Sequence, residues 1–230
     1  MTAPALRTSA LLRIVTRVAV TLLAVALATA MLDLPSPTTS LAQIVQQHLG
    51  DSGVRHPVTA VLLNFRAYDT LLEIAVLLLA VLGGLALRLA AGDSPMPAAA
   101  SASPVLAGLV HLLVPLIVLL AGYLLWAGAH RPGGAFQAGA VLAAAGVLLR
   151  LAGRWTPLLP PSALARGGLL IGFIVFLTVA LSALLTGGVL LEYPRTWASE
   201  LILLIEAVLS VSIGLMLLSL FSGATTPGRR

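Results

Sequence analysis

The sequence predicts an all-α, polytopic membrane protein of about six transmembrane helices, with both termini on the cytoplasmic side. Three observations carry that prediction. Hydrophobic residues make up 59% of the 230-residue chain and charged residues only 9%, with a mean hydropathy of +1.06, which no ordinary soluble domain shows. Six apolar segments approach the length of about 20 residues that spans a bilayer as a helix: Ile14 to Leu32, Tyr68 to Arg88, Val105 to Ala127, Phe136 to Leu151, Leu169 to Leu191 and Leu201 to Phe221. The arginines divide unevenly between the two sides so defined. Arg7, Arg13, Arg17, Arg88, Arg150, Arg154, Arg166, Arg229 and Arg230 fall on one side, and Arg55, Arg66, Arg131 and Arg195 on the other, so the positive-inside bias places the termini in the cytoplasm.

The same composition excludes several function classes. Every basic residue is an arginine, and the net charge of +5 comes with only eight acids, so the basic balance reflects loop arginines rather than a nucleic-acid surface. With no cysteine there is no thiolate nucleophile or cysteine-ligated cluster. No metal-ligand cluster, nucleophile with a base or phosphate loop stands out, which argues against an enzyme and implies no cofactor.

At the N-terminus, Arg7, Arg13 and Arg17 precede the apolar run Val18 to Leu32, and Ala28 to Ala30 resembles a small-residue cleavage site. The length of the run favours an uncleaved first helix with Arg17 at its end. Between Asp33 and Arg55, Pro35 and Pro37 predict an irregular start. Leu41, Ile44, Val45 and Leu49 then recur at helical spacing, which fits a short amphipathic helix along the interface, with His48 solvated.

The stretch from His56 to Arg88 is more informative. Val58 to Phe65 is apolar but too short to cross, and it runs into Arg66, Asp69 and Glu73, three residues on one helical face. No charge follows Glu73 until Arg88, so Glu73 lies inside the hydrocarbon, where an ionisable group is a candidate functional site. Two readings fit these residues: an ion pair of Arg66 with Asp69 or Glu73 that serves packing, or a carboxylate that takes up and releases a proton or a sodium ion. Ala90 to Pro104 is small, proline-bearing and aperiodic, and reads as a flexible linker.

The third helix carries His111 and Pro115, the latter expected to bend it. After it comes Trp126 to Val141, WAGAHRPGGAFQAGAV, in which an apolar run meets a polar turn and starts again. Pro132, Gly133 and Gly134 break the helix there, flanked by His130, Arg131, Phe136 and Gln137. Taken alone, the stretch reads either as a tight interfacial turn or as a backbone lining for a polar cavity. In the fourth helix, Gly139, Ala143, Ala144, Ala145 and Gly146 allow a close helix contact, and in the fifth Thr178, Ser182 and Thr186 form a polar stripe suited to packing. The sixth helix brings Glu206 into an apolar run with no basic residue within a turn, so its partner must come from another helix, another chain or a bound proton.

Two of these stretches resemble known families. GYLLWAGAHRPGGAFQAGAVLAAA resembles the signature of the MnhB/MrpB component of the multisubunit Mrp/Mnh cation/proton antiporters, with Ala135 standing where a third glycine is usual. VTAVLLNFRAYDTLLEIAVLLLAVLGGLAL is similar to the C-terminal end of the large first component of the same antiporters, which is a separate small protein in related membrane-bound hydrogenases. Phe65, Arg66, Asp69, Thr70 and Glu73 match that pattern, while Asn64 replaces an acid and removes one possible proton station.

The resemblance implies a module like the tail of that large component over residues 1–90, a linker over 91–104, an MnhB-like four-helix module over 105–222 and a cytoplasmic tail over 223–230. It implies a multi-pass protein of the cell membrane that works in a hetero-oligomer with other antiporter subunits and lipid, exchanging Na⁺ for H⁺. The expected ion pathway runs along the outer side through Glu73, Asp69, Arg66, His130 and Glu206, with Pro132, Gly133, Gly134, Phe136 and Gln137 forming the structural turn. Two other roles fit the same modules: a membrane-arm subunit of a complex I-related redox or inorganic-carbon pump, and a purely structural subunit.

Overall fold

A computed structural model describes residues 3–34, 40–91, 104–153, 163–185 and 188–224. The described residues form helices and no strand, in the order α1 (Ala3–Leu32), α2 (Leu41–His48), α3 (Pro57–Ala60), α4 (Ala67–Ala91), α5 (Pro104–Ala127), α6 (Ala135–Leu151), α7 (Ala163–Leu185) and α8 (Ala198–Ala224). Five of them, within α1, α4, α5, α7 and α8, are long and apolar enough to cross a membrane, and α6 is a shorter apolar helix of 17 residues. At 1.5 Å per residue α6 is about 25 Å long, short of a full bilayer core, as its sequence suggested.

The chain divides into two compact units, Met1–Gln43 and Ile44–Arg230. In the first, α1 is apolar around its whole circumference, and its side chains from Leu11 to Leu32 are exposed. Thr16 and Thr29 return their hydroxyls to the carbonyls of Leu12 and Ala26 in their own helix, which satisfies both groups on an apolar surface. The expected amphipathic segment is α2, followed by one 3₁₀ turn over Leu49–Asp51. Pro35 and Pro37 lie outside the described residues.

The second unit is built on α8. It packs against α6 on one side, α7 on another and α4 on a third, and Ile202, Ile205, Leu209, Ile213 and Met216 run down its buried faces. Small residues make the α6–α8 contact close, as the sequence predicted. A methyl group added to Gly139 would stand 2.8 Å from Ile213, one at Gly146 would stand 2.6 Å from Leu218, and one at Gly214 would stand 3.2 Å from the Gly139 carbonyl, so the two backbones meet without room for side chains. Ala143 and Ala145 are buried in the same seam, whereas Ala144 points outward. Ser212 reaches from α8 to the Leu169 carbonyl of α7 at 2.7 Å.

One expectation is corrected. The fifth predicted span, Leu169 to Leu191, is α7, which begins at Ala163 and ends at Leu185; beyond it Gly188 and Leu191, the latter with φ of +67°, form a loop whose Val189 N–H is held by the Glu192 carboxylate at 2.8 Å. Hydropathy extends the span because the loop residues are apolar, while the backbone bonds that close the loop are invisible in composition. Arg150 stands in the last turn of α6, where the sequence placed it, and is buried there. In the polar stripe of α7, exposed Thr178 and Ser182 donate to the carbonyls of Ile174 and Val179. Thr186, Arg154, most of the Ala90 to Pro104 stretch and the tail beyond Ala224 lie outside the described residues.

Candidate functional site at the α5–α6 turn

A helix end leaves its last carbonyls and its successor's first N–H groups without internal partners. Between α5 and α6 these groups are satisfied within a turn of seven residues, 128–134. His130 and Arg131 both donate their N–H groups to the Ala127 carbonyl, at 2.9 and 2.7 Å, and Gly134 returns its N–H to the Leu124 carbonyl at 2.9 Å. That recoil explains the glycines. A side chain at Gly133 would strike the Leu124 carbonyl, one at Gly128 would meet the Gly134 backbone at 2.8 Å, and Gly134 itself adopts φ of +108°, a conformation that disfavours any residue with a Cβ.

The turn meets a buried carboxylate. Glu206 of α8 is 4% exposed and accepts the Ala135 N–H at the start of α6, where the free N–H groups and the helix dipole both favour negative charge. Its Oε1 would lie 2.6 Å from a methyl group at Gly134, so the glycine at this position makes room for the acid. Ser210, one turn on, donates to the Glu206 backbone carbonyl at 2.7 Å. Among the described residues no arginine or histidine forms an ion pair with Glu206. The partner that the sequence required from another helix is therefore a backbone amide of α6.

The other predicted residues are distributed differently. His130 is exposed, its ring 6.1 Å from that of Trp126. Arg66 pairs with Asp69, which settles the alternative between Asp69 and Glu73. Glu73 lies on an exposed face of α4, beside Leu72 and Val76. Among the described residues no ion pair or hydrogen bond joins Glu73 to Glu206. The turn and Glu206 are thus brought together, and Glu73 is presented outward. Phe136 is half-buried against the core, and Gln137 is exposed with its Oε1 near Gly134.

One part of the site was not read from the sequence. The apolar stretch Val58 to Phe65 is a broken helix: α3 passes into a wide π-helical turn over Val61–Phe65, and the chain breaks at Arg66 with φ of −130° before α4 begins. Thr70 donates to the Leu62 carbonyl at 2.6 Å, satisfying a backbone group of the wide turn. Asn64 donates to the Ser52 carbonyl at 3.1 Å. The start of this broken helix touches the α5–α6 turn, because Arg55 and His56 donate their N–H groups to the Ala129 carbonyl at 2.9 and 3.0 Å, and Thr59 donates its hydroxyl to the Gly128 carbonyl. A helix entry reading His-Pro-x-Thr was the available signal, since proline at the first helical position leaves neighbouring polar groups to find partners elsewhere.

Residues 105–223, essentially α5 to α8, match the family described as a domain related to the MnhB subunit of Na⁺/H⁺ antiporters. Among solved structures, the chain is similar to one in the membrane-bound sulfane sulfur reductase, an archaeal respiratory membrane complex, at 25% identity and a TM-score of 0.67, over 93% of this chain and 98% of that one. It is similar in fold to a chain of the Mrp complex from Dietzia sp. DQ12-45-1b, at 23% identity and a TM-score of 0.57, over 91% of this chain and 26% of that one. No curated protein matches it by sequence.

Proposed function

The chain belongs to the family of domains related to the MnhB subunit of Na⁺/H⁺ antiporters, and from that premise we propose that it is a cell-membrane component of a multisubunit antiporter exchanging Na⁺ for H⁺. Its own contribution is a carboxylate station near the start of α8, together with the packing that holds larger subunits around it. The observation that carries this reading is Glu206, buried and bonded to a backbone amide, with no cationic side chain paired to it among the described residues. A carboxyl group so placed, in a medium of low polarity, is either neutralised by a bound proton or balanced as a carboxylate by a cation. Glu73, Asp69, Arg66 and His130 belong to the same pathway at the outer side, with Glu73 facing a neighbouring subunit. The unequal arginine distribution supports cytoplasmic termini. The resemblance of Val58 to Leu87 to the C-terminal end of the large antiporter component supports residues 1–90 as a module like that tail, joined to an MnhB-like module over 105–222.

Reconstituted vesicles containing the assembled complex test the reading. Glu206→Gln, which keeps an acceptor for the Ala135 N–H but removes the charge, lowers Na⁺-driven dequenching of a pH dye strongly while assembly stays normal. Full exchange in an assembled Glu206→Gln complex would remove the pathway role.

A second reading is favoured by one observation, the likeness over nearly the whole of a chain from a respiratory membrane complex. In that reading the same module lies in the membrane arm of a redox-driven pump. Affinity purification in mild detergent separates the two, since redox subunits travel with the chain only in the second.

A further inference from the structure

Several hydroxyls among the described residues serve the helix that carries them. Thr16, Thr178 and Ser210 each donate to the carbonyl four residues back, the usual solution for a hydroxyl in an apolar helix. Thr59 does not. It is 5% exposed and donates instead to the Gly128 carbonyl, 69 residues away in sequence, in the turn that follows α5. Beside it Arg55 and His56 place both their N–H groups on the Ala129 carbonyl. Three donors from one short stretch therefore occupy two consecutive carbonyls of the turn.

The carbonyls they occupy are not incidental. Gly128 and Ala129 follow the last residue of α5, where no internal donor remains for them, and Gly128 lies directly against Gly134, which in turn lies against the Glu206 carboxylate. On the other side, the same broken helix ends at the Arg66–Asp69 pair and is tied to α4 through Thr70. The broken helix thus carries the Arg66–Asp69 pair at one end and, through Thr59, holds at the other the turn that leads into Ala135, the backbone partner of Glu206.

We infer that Thr59 is a positioning residue, a clamp that fixes the α3 segment on the α5–α6 turn and makes the Arg66–Asp69 break and the Glu206 carboxylate move as one body. This deepens the antiporter reading and rests on it for its transport consequence, but the mechanical coupling stands apart from that reading and is measured separately. A buried threonine hydroxyl removed without loss of volume leaves the Gly128 carbonyl with no donor, and the contact opens.

The experiment is hydrogen–deuterium exchange on the purified, assembled complex, with Thr59→Val, Thr59→Ser and Glu206→Gln beside the unaltered chain. In Thr59→Val, exchange rises by about tenfold in the peptides covering 54–60 and 127–135 together, the change expected for one lost hydrogen bond, and Thr59→Ser restores both. Cation/proton exchange in vesicles falls by a similar factor in Thr59→Val and recovers in Thr59→Ser. Should the Val variant fail to assemble, Thr59→Ala is read in the same way. A rise confined to 54–60, with 127–135 unchanged, overturns the coupling, as does a Ser variant no better than Val, since the hydroxyl it retains would then not hold the contact. A Glu206→Gln complex with full transport but raised exchange across both peptides would defeat the antiporter role of Glu206 and leave the clamp standing.

Discussion

Glu206 and Glu73 both lie in the first turns of long apolar helices, α8 and α4, yet the chain surrounds one and displays the other. Around Glu206 it supplies a backbone amide at Ala135, a glycine at 134 that leaves space for the carboxylate, and a helix seam of glycines and alanines. Around Glu73 it supplies only Leu72, Val76 and other apolar residues of an exposed face. The difference teaches that an acid within a membrane segment reports two separate things. One is completed inside the subunit and fixes a local backbone; the other is left open and asks for a neighbour, because an uncovered carboxylate against acyl chains is costly.

The largest effect that would break this contrast is expected at Gly134. Gly134→Val forces a β-branched residue into a φ of +108° and into the Glu206 carboxylate, at a cost of about 3 kcal/mol, and thermal unfolding in detergent should show an early loss of helix. Next is Glu206→Leu, which leaves the Ala135 N–H buried without its acceptor and lowers stability by roughly 1–3 kcal/mol; Glu206→Gln should lose less, and equal loss in both would mean that the amide bond does not hold the turn. Glu73→Leu should leave the isolated subunit within about 0.5 kcal/mol of the original while weakening its recovery with partner subunits, so a destabilised monomer would place Glu73 in the subunit's own interior. The smallest change is expected at the Asp51–Arg195 pair, 3.1 Å apart and exposed, where Arg195→Ala should alter stability by at most about 1 kcal/mol, and less in high salt.

Much of the fold was legible because the signals were local. Long apolar runs gave α4, α5 and α8 within a few residues and the end of α1, whose start at Ala3 lies well before the predicted Ile14, and Pro132-Gly133-Gly134 gave the turn. The small-residue pattern of α6 gave a close helix contact, but not its partner α8. The site was legible in pieces. Glu206 and the turn were each singled out, but 72 residues separate Glu206 from Gly134, and nothing in apolar periodicity says that one carboxylate closes the other helix's N-terminus. Thr59 was passed over for the same reason, since a threonine in an apolar stretch ordinarily bonds back to its own helix, and only the fold brings Gly128 within reach. The outward placement of Glu73 was hidden because apolar residues occupy every face of α4, so its sequence does not tell which face the rest of the chain covers.

The wide turn at Val61–Phe65 has a geometric consequence. It holds more chain per revolution than an α-helix, whose residues advance by about 100° each. Deleting one residue there would swing everything upstream by roughly that angle relative to α4, turning the Thr59 hydroxyl away from Gly128 even though no contacting atom had been altered. The surplus residue acts as a phase setting, dialling two helical stretches so that both reach their separate neighbours at once.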